Sequence, residues 1–279
     1  MVVKHTLYIV ATPIGHRDDV SSRAIAVLKS VDRILAEDTR HSGNLLRHHG
    51  VLTPTVSLHE HNELAKIDSI IEALRSGESL ALISDAGTPL ISDPGYRLVR
   101  ACLQAGISVS PIPGASALIA ALSVSGLPTD SFRFVGFPPT KAVARERWYQ
   151  ALKTDTSTLV LYESPHRILA SLEALRSVFG PEREMTLVRE LTKQFETVMH
   201  GNVARIIEQV SADSNQTRGE FVLVIAGCDD DAGEHTIELD ALIHALKDQL
   251  PPKAVARCAA ELLNVPKQEA YKRVLALKS

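Results

Sequence analysis

The first 120 residues alternate between short apolar runs and segments with apolar residues at helical spacing. Each apolar run spans six or seven residues and leads into a polar, Gly or Pro stretch, as buried strands do. Strands that alternate with crossover helices form a parallel sheet covered on both faces. The predicted strands are 6–12, 32–38, 79–84 and 108–114, and the predicted helices are 20–31, 63–77 and 95–106.

The pattern changes after residue 128, where short β-rich runs become more frequent than helical segments. This predicts a second α/β domain with strands of mixed direction. Its predicted strands are 132–139, 158–164, 184–191, 196–203 and 219–227, and its predicted helices are 165–180 and 203–211.

The C-terminal segment shows helical spacing only. Residues 228–235 are acidic, contain nothing to bury and are interpreted as a linker. Three helices follow, beginning near Asp240, Pro251 and Pro266, and they predict a small helix-turn-helix-like bundle. The predicted domains are a parallel Rossmann-like α/β domain (1–117), a mixed-sheet α/β domain (118–228) and the helical domain (236–279).

Composition narrows the class of protein. The chain of 279 residues has no run of 18 apolar residues, and its first strand does not resemble a secretory signal, so we expect a cytoplasmic protein without a membrane span. Its three cysteines, Cys102, Cys228 and Cys258, fit neither a disulfide framework nor a zinc motif. The net charge is −3, but residues 241–279 hold seven basic and three acidic groups, net +4, against −7 elsewhere. A polyanion partner for the tail and an ordinary solvated face both explain this asymmetry.

Four polar loops follow the strands of the predicted parallel sheet: Thr12–Gly15, Glu37–Arg40, Ser84–Thr88 and Pro113–Ser116. Ligands of such sheets bind beyond the carboxyl ends of the strands, although Gly, Pro and Asp are also ordinary turn formers. The chain has neither GxxxxGK[ST] nor a GxGxxG after the first strand. The ligand is therefore expected to be held without a phosphate-binding loop, which suits S-adenosylmethionine.

Several motifs together resemble one known family. They are YIVATPIGHRDDVSSRA, LAEDTRHSGNLLRHHG, LHEHNE, ISDAGTPLISDPGYRLV, PIPGASALIAALSVSGLP, LYESPHRI and GEFVLVIAG. The chain resembles the RsmI family of 16S ribosomal RNA (cytidine) 2′-O-ribose methyltransferases, in the tetrapyrrole-methylase superfamily, over nearly its whole length. The long SDAGTPLISDPG run is specific to that resemblance, whereas the Pro-Gly turn after the first strand indicates only the fold.

The resemblance implies two α/β domains, a bound S-adenosylmethionine in the cleft between them, a homodimer and 16S ribosomal RNA of the small subunit as substrate. The cofactor-binding residues it implies are Pro13, Ser84, Asp85, Thr88, Ser116, Ala117, Tyr162, Glu163 and Leu191. The third loop is longer here than the superfamily's GDPxxxG form. Two interpretations of Asp93 therefore stay open, a place in this site or a cap of the helix near Gly95.

Methyl transfer to a ribose hydroxyl gains from a positioned base. By loop placement the candidates are His59, Glu60, Glu163, His166, Glu190 and Lys193, and no spacing rule selects one. We carry His59, Glu190 and Lys193 forward as the predicted catalytic residues. His59 and His61 form an HxH pair, but no obvious third ligand accompanies them, so no metal is predicted.

RNA contacts are predicted from exposed basic groups. The predicted residues are Arg40, His166, Arg167, Lys253, Arg257, Lys272 and Arg273. The competing interpretations are a salt bridge to Asp38 for Arg40, a surface helix start for His166 and Arg167, and a solvated face for the tail. Only 4% of the residues are aromatic, so the chain has few side chains on which an RNA base could stack. RNA recognition would therefore rest on the shape and the phosphates of the RNA.

Two other functions are considered. A tetrapyrrole C-methyltransferase would keep the fold and cofactor but would not need the basic tail or the LHEHNE segment. A DNA-binding regulator with a ligand-sensing α/β part is compatible with Lys267, Gln268, Lys272 and Arg273 on the last helix.

Overall fold

A computed structural model of the protein describes residues 2–228 and 233–277, with the backbone alone described over 233–238. The chain divides into two compact units, Met1–Ala226 and Gly227–Ser279. The first unit contains two five-stranded sheets, and the second is helical. The predicted boundary between residues 117 and 118 stays a prediction. No described helix combines the length and the apolar character needed to cross a membrane.

The first sheet is parallel and buried on both faces. Its strands are β1 (Thr6–Val10), β2 (Arg33–Ala36), β3 (Thr55–Ser57), β4 (Leu80–Ile83) and β5 (Ser108–Ile112), in the order β3-β2-β4-β1-β5. Leu7 pairs with Leu80 and packs on one face, whereas Tyr8 pairs with Ala81 on the other. Burial on both faces explains why β4 is a continuous apolar run.

Four helices cover this sheet, two on each face. They are α1 (Ser22–Ser30) and α2 (Thr39–His48) on one face, and α3 (Glu63–Arg75) and α4 (Tyr96–Gln104) on the other. The parallel sheet was predicted correctly, but α2 and β3 were not predicted. Asp38 begins α2, because its carboxylate accepts a hydrogen bond from the Arg40 amide at 2.8 Å. Thr39 and Arg40 therefore lie in a helix, although the sequence pattern predicts a loop over Glu37–Arg40.

The second sheet is mixed, as predicted. Its strands are β6 (Phe132–Gly136), β7 (Thr158–Glu163), β8 (Glu184–Arg189), β9 (Thr197–Asn202) and β10 (Phe221–Ile225), in the order β6-β7-β10-β8-β9. Only β6 and β7 pair in parallel. The helices of this part are α5 (Ala117–Ser123), α6 (Ala142–Gln150), α7 (Ile168–Phe179) and α8 (Val203–Ala212). Leu118 and Leu122 of α5 pack against Val222 and Val224 of β10.

The second unit is a three-helix bundle of α9 (Gly233–Leu246), α10 (Pro252–Leu263) and α11 (Lys267–Ala276). Its core contains Ile243, Val255, Ala259 and Val274. The first helix begins at Gly233 and not near Asp240 as predicted. Of the predicted linker, 229–232 lie outside the described residues and 233–235 belong to α9.

Glu63 connects α3 to the start of α4. Its side chain is buried, and Oε1 accepts a hydrogen bond from the Leu98 amide at 2.9 Å. The first amides of a helix have no partner within the helix, so a carboxylate supplied by another helix can satisfy one of them.

We expect Glu63→Ala to lower the free energy of unfolding by about 1–3 kcal/mol, because it leaves the buried Leu98 amide without an acceptor. Glu63→Gln retains an acceptor oxygen and is expected to recover part of the loss. Chemical denaturation of the full chain measures both, with Glu72→Ala on the exposed side of α3 as the control. A Glu63→Ala variant as stable as the control would contradict this role.

Candidate functional site

The loops that follow the parallel strands meet at one edge of the first sheet. Two of them are joined by backbone hydrogen bonds, from the Thr12 amide to the Gly87 carbonyl at 2.8 Å and from the Gly87 amide to the Thr12 carbonyl at 3.1 Å. The Thr12 hydroxyl also donates to the Ser84 carbonyl at 3.1 Å. The loop after β1 and the loop after β4 therefore form one braced structure at the sheet edge.

A cleft of about 400 Å³ lies between this edge and the second sheet. The first sheet contributes the loops after β1, β4 and β5, and the second sheet's part contributes the start of α5 and residues at the ends of β7 and β10. Five of the predicted cofactor-binding residues line it: Thr88, Ser116, Ala117, Tyr162 and Glu163. Predicted residues Pro13, Ser84 and Asp85 instead line a smaller adjacent pocket, and Leu191 packs in the apolar cluster that also contains Tyr162.

Asp93 lies in the cleft and does not cap α4. The N-terminal residue flanking α4 is Gly95, and Glu63 occupies the Leu98 amide, so the capping interpretation is wrong. Burial raises the pKa of Asp93 to about 6, the Ser84 hydroxyl acts in the opposite direction, and the charges of Glu37 and Asp85 raise it further. Its place in an unusually long loop after β4 is the sequence feature that kept Asp93 as a candidate for this site.

Two neighbours of Asp93 share its environment. Burial, with the Asp85 charge acting in the same direction, raises the pKa of Glu37. Burial also raises the pKa of Tyr162, and the Asp93 charge contributes to that increase. Asp93 in the cleft and Glu37 at the sheet edge are therefore carboxyl groups whose charges disfavour each other, which favours a positively charged ligand beside them.

Glu163 is the other buried carboxylate of the cleft, with a side chain that is 0% exposed. Its Oε1 accepts hydrogen bonds from the Ser164 amide at 2.7 Å and from Arg167 Nη2 at 2.8 Å. Its Oε2 is buried and has no hydrogen-bond partner within residues 2–228 and 233–277. One oxygen of Glu163 is thus held in place while the other remains able to accept a ligand donor.

Arg167 is held inside the second sheet's domain. Besides Glu163, it donates from Nε to the Ser164 hydroxyl at 3.0 Å and from Nη1 to the Pro138 carbonyl at 3.2 Å. These bonds occupy the guanidinium, so the structure argues against the predicted RNA contact. Its neighbour His166 is exposed, and its contact with RNA stays a prediction.

His59 follows β3 at the same sheet edge, where its charge acts on Glu37. The Asn62 side-chain oxygen accepts from the His59 amide at 2.9 Å, which orients the Asn62 amino group toward His59 Nε2 at 3.0 Å. His59 Nδ1 is buried and has no partner among the described residues. Neither imidazole nitrogen therefore offers a free lone pair to solvent.

Glu190 and Lys193 belong to an ion-pair cluster with Glu220. Lys193 Nζ lies 3.0 Å from Glu190 Oε1 and 2.9 Å from Glu220 Oε2. Burial opposes both charges, but the Glu220 amide and Lys193 lower the pKa of Glu190 overall, and the two carboxylates raise the pKa of Lys193. The carboxylate is then a weak base and the amine stays protonated, so these contacts favour a structural cluster beside the cleft.

Gly15 brings the loop after β1 against this cluster. A Cβ atom at Gly15 would lie 2.7 Å from the Leu191 carbonyl oxygen and 2.6 Å from the Thr192 hydroxyl oxygen. The His16 amide also donates to that hydroxyl at 3.0 Å. The two halves of the first unit therefore approach each other at a point where only a hydrogen atom fits.

We expect Gly15→Ala to lower the free energy of unfolding by about 1–3 kcal/mol, because a backbone carbonyl cannot move aside as a flexible side chain would. Gly43→Ala is the matched control, since Gly43 lies inside α2 with no contact closer than 3.4 Å. That variant is expected to gain about 0.5–1 kcal/mol. Chemical denaturation measures both, and equal effects would count against close packing at Gly15.

The predicted HxH pair has no structural sign of a metal site. The His59 and His61 rings lie 6.0 Å apart in an edge-on arrangement. The described residues that place three potential ligand atoms within 4.8 Å of one another are instead Asp18, His48 and His49, of which the first two are exposed. The prediction that the protein holds no metal stays a prediction.

The tail bundle carries a basic groove of about 570 Å³ between α10 and α11. Predicted RNA contacts Lys253 and Arg257 line it, together with Lys267, Gln268 and Tyr271. Predicted residue Lys272 is exposed elsewhere on α11. Arg273 is different, since its Nε donates to Asp240 Oδ1 at 2.7 Å and ties α11 to α9, which argues against a role in RNA binding. In the first unit, Arg40 is 92% exposed and lies 3.5 Å from Asp38, so both of its interpretations remain.

Comparisons with known proteins agree with this architecture. The family described as "Tetrapyrrole (Corrin/Porphyrin) Methylases" matches residues 6–207, and the "RsmI C-terminal HTH domain" matches residues 233–278. Ribosomal RNA small subunit methyltransferase I of Pseudomonas aeruginosa is 50% identical over 272 residues, covering 97% of this chain and 96% of that protein. The Escherichia coli O157:H7 protein of the same name is 46% identical, covering 96% and 94%.

Solved structures are similar in fold at lower identity. Uroporphyrin-III-C-methyltransferase from Thermus thermophilus superposes with a TM-score of 0.56 at 24% identity, covering 80% of this chain and 94% of that one. Diphthine synthase gives a TM-score of 0.59 at 14% identity, covering 79% and 90%. These similarities confirm the predicted two-sheet fold and its C-terminal helical domain.

Proposed function

This chain belongs to the tetrapyrrole methylase family and, within it, to the family of ribosomal RNA small subunit methyltransferase I, and on that premise we propose its reaction. It transfers a methyl group from S-adenosylmethionine to the ribose 2′-hydroxyl of a cytidine in 16S ribosomal RNA. The observation that carries this proposal is identity of 44–50% over nearly the whole chain to proteins named for that ribosomal RNA.

The cleft suits S-adenosylmethionine, which would supply a methyl group on a positively charged sulfur. Ile14, Phe137 and Tyr162 give the cleft apolar surface. The carboxyl groups of Asp93, Glu163 and Glu220 also line the cleft, and a carboxylate attracts positive charge. The unpartnered Glu163 oxygen is a buried acceptor that an ammonium or hydroxyl donor of the cofactor would satisfy. The predicted residues Thr88, Ser116 and Ala117 would form the opposite wall.

Asp93 is the proton acceptor we propose for the ribose hydroxyl. A base works best when its pKa lies near the working pH, and Asp93 has a pKa of about 6 in a cleft. The predicted candidates His59, Glu190 and Lys193 are engaged by the contacts described above. Their proposed roles change accordingly, to orienting the sheet edge for His59 and to bracing the cleft for the other two.

The basic groove of the tail is the proposed RNA-binding surface, with Lys253, Arg257 and Lys267 as phosphate contacts. In the first unit the exposed residues Arg40 and His166 remain proposed contacts. We also retain a homodimer, a cytoplasmic location and the assembled small subunit as substrate. The modest positive charge of the tail supports the assembled subunit, because a binder of free RNA usually carries more.

The two rival functions have less support. The tetrapyrrole methyltransferase with a similar structure shares 24% identity, which supports the fold alone, whereas the ribosomal RNA enzymes share about twice that. A regulator of DNA has no relative among the proteins described above. Neither rival accounts for the match of the tail to the RsmI C-terminal HTH domain together with relatives that are 44–50% identical over nearly the whole chain.

Titration calorimetry with S-adenosylmethionine, followed by transfer of labelled methyl to purified small subunits, naked 16S RNA and uroporphyrinogen, tests the proposal. We expect the protein to bind S-adenosylmethionine and to transfer methyl to the small subunit, but not to naked 16S RNA or to uroporphyrinogen. Ala86→Trp, in the cleft, should abolish donor binding, and Ala65→Trp, on exposed α3, should not. Transfer to uroporphyrinogen in place of RNA, or no donor binding by the wild type, would overturn it.

A further inference from the structure

The loops that line the large cleft also line a second pocket on their other side. This small pocket has a volume of about 220 Å³, roughly half that of the cleft. In the loop after β4, Ser84 and Asp85 face the small pocket and Ala86–Thr88 face the cleft. In the loop after β1, Pro13 and Gly15 face the small pocket and Ile14 faces the cleft. The two pockets are therefore adjacent and share these two loops.

The two loops are held together at their centre. The paired hydrogen bonds between Thr12 and Gly87 join them, at 2.8 and 3.1 Å. Ser84 lines the small pocket, and its hydroxyl is close enough to Asp93 in the cleft to lower the pKa of that carboxyl. A group bound in the small pocket and a group bound in the cleft would therefore meet at Ser84, Asp85 and Asp93.

Ser42 of α2 points to a ligand for the small pocket. The residue is only 3% exposed, and its hydroxyl has no hydrogen-bond partner within the described part of the chain. A serine inside a helix commonly bonds to the carbonyl four residues earlier, but this hydroxyl does not. A buried hydroxyl that lines a pocket and lacks a partner is suited to a ligand with a donor or acceptor of its own.

The small pocket also carries polar groups, with cationic groups at its rim. Arg17 and His41 are exposed there, and Arg17 forms no ion pair with any residue that the structure describes. Asn44 is exposed two residues after Ser42 in α2, and its side-chain oxygen accepts a hydrogen bond from Arg47 Nη2, which leaves its amino group free for a ligand. Asp85 is a half-buried carboxylate. Such a set suits a group that carries hydroxyls and an amide-like edge between two phosphates.

We propose that the small pocket receives the acceptor nucleoside of the RNA, turned out of its strand, while the cleft holds the methyl donor. This inference rests on the proposed function and assigns the substrate side of its site. The 2′-hydroxyl lies where the two pockets meet, so that Asp93 accepts its proton, while Ser42 and Asn44 contact the base edge and Arg17 contacts a flanking phosphate. An extruded nucleotide is the usual solution when chemistry must reach an atom within a folded nucleic acid.

Two variants of the full chain test the pocket. Asn44→Trp fills its mouth from an exposed position, and Ser69→Trp on the exposed side of α3 is the matched control. Ser42→Ala removes the unpartnered hydroxyl and is expected to keep the wild-type stability, because no internal bond is lost. For each, calorimetry measures donor affinity, methyl transfer to small subunits gives kcat and KM, and saturation-transfer NMR detects cytidine 5′-monophosphate.

We expect Asn44→Trp to lower kcat/KM for the small subunit at least 100-fold and Ser42→Ala about 10-fold, with donor Kd within twofold of wild type. Binding of cytidine 5′-monophosphate should be seen for the wild type and Ser69→Trp and be lost in Asn44→Trp. Wild-type transfer by Asn44→Trp, or undetectable nucleotide binding by the wild type, overturns the pocket while donor binding still stands. A wild type without donor affinity refutes the proposed function itself, and a donor Kd weakened by Asn44→Trp assigns the pocket to the donor.

Discussion

Replacing Asp93 by Asn is expected to lower kcat for methyl transfer by roughly 10²–10⁴-fold, the usual contribution of a positioned base. The side chain keeps its size and one acceptor oxygen, but it can no longer take a proton. Donor Kd from calorimetry separates loss of catalysis from loss of binding. Asp68→Asn, an exposed carboxylate on α3, controls for the change in net charge. A rate within threefold of wild type would assign the proton to another group.

The pH dependence follows from the direction of the shift. Asp93 accepts a proton only when ionised, and its pKa is about 6, so kcat/KM should fall tenfold per pH unit below about pH 6 and level off above it. In Asp93→Asn this acidic limb should disappear from the residual activity. An unchanged limb in the variant would mean that a different group titrates.

The stability of the folded protein should change with pH in the direction opposite to the activity. Because the pKa of Asp93 is raised from its ordinary value of 3.8 to about 6, the folded protein holds this proton more tightly than the unfolded chain between those two pH values. Above that window the buried charge opposes folding, by up to about 3 kcal/mol for a shift of this size. We therefore expect Asp93→Asn to be more stable than wild type at pH 8 and no more stable at pH 3.5, as thermal unfolding would show.

Removing the three cations of the tail groove is expected to weaken binding to the small subunit by about 100-fold at 0.1 M salt. Each phosphate contact on single-stranded RNA contributes a slope of about 0.7 to the dependence of log K on log salt, so Lys253, Arg257 and Lys267 together account for about two decades. The variant in which all three are Ala should also lose about 2 from that slope.

A control with the same loss of charge is available in the first unit. Lys29, Lys141 and Lys153 are exposed and line none of the pockets described here. Their replacement by Ala lowers the net charge equally and should change the salt slope by less than 1. If both triple variants lose affinity alike, overall charge and not the tail groove holds the RNA.

Most elements with a regularly spaced apolar face were predictable, and two helices that bury polar groups were not. The helix α5 was not predicted either, because its sequence ALIAALS is apolar almost throughout and so shows no helical spacing. The strand Leu80–Ile83 is apolar at every position, so its burial on both faces is evident. The helix α2 buries only Ser42 and Leu46 and contains Gly43, so its apolar spacing is weak. The helix α6 buries Arg145 and Tyr149, and a buried arginine contradicts the pattern that sequence analysis relies on.

The edge that carries the site was predictable because parallel strands place their carboxyl ends together. The partners of individual side chains were not, since they depend on contacts between distant segments. Arg273 donates a hydrogen bond to Asp240, 33 residues away, and Lys193 donates one to Glu220, 27 residues away. Both pairs turn a basic residue that looked available for RNA or catalysis into a structural contact. Glu163 and Arg167 are only four residues apart, but Glu163 ends β7 and Arg167 precedes α7, so their ion pair also depends on the fold.

The loops that the cleft and the small pocket share have a thermodynamic consequence. Neighbouring residues of the same two loops line both pockets, and the Thr12–Gly87 pair joins those loops, so the donor and the acceptor would bind to one piece of backbone. Linkage requires reciprocity: the factor by which the donor changes acceptor affinity equals the factor by which the acceptor changes donor affinity. Titration of each ligand in the presence of the other measures that factor.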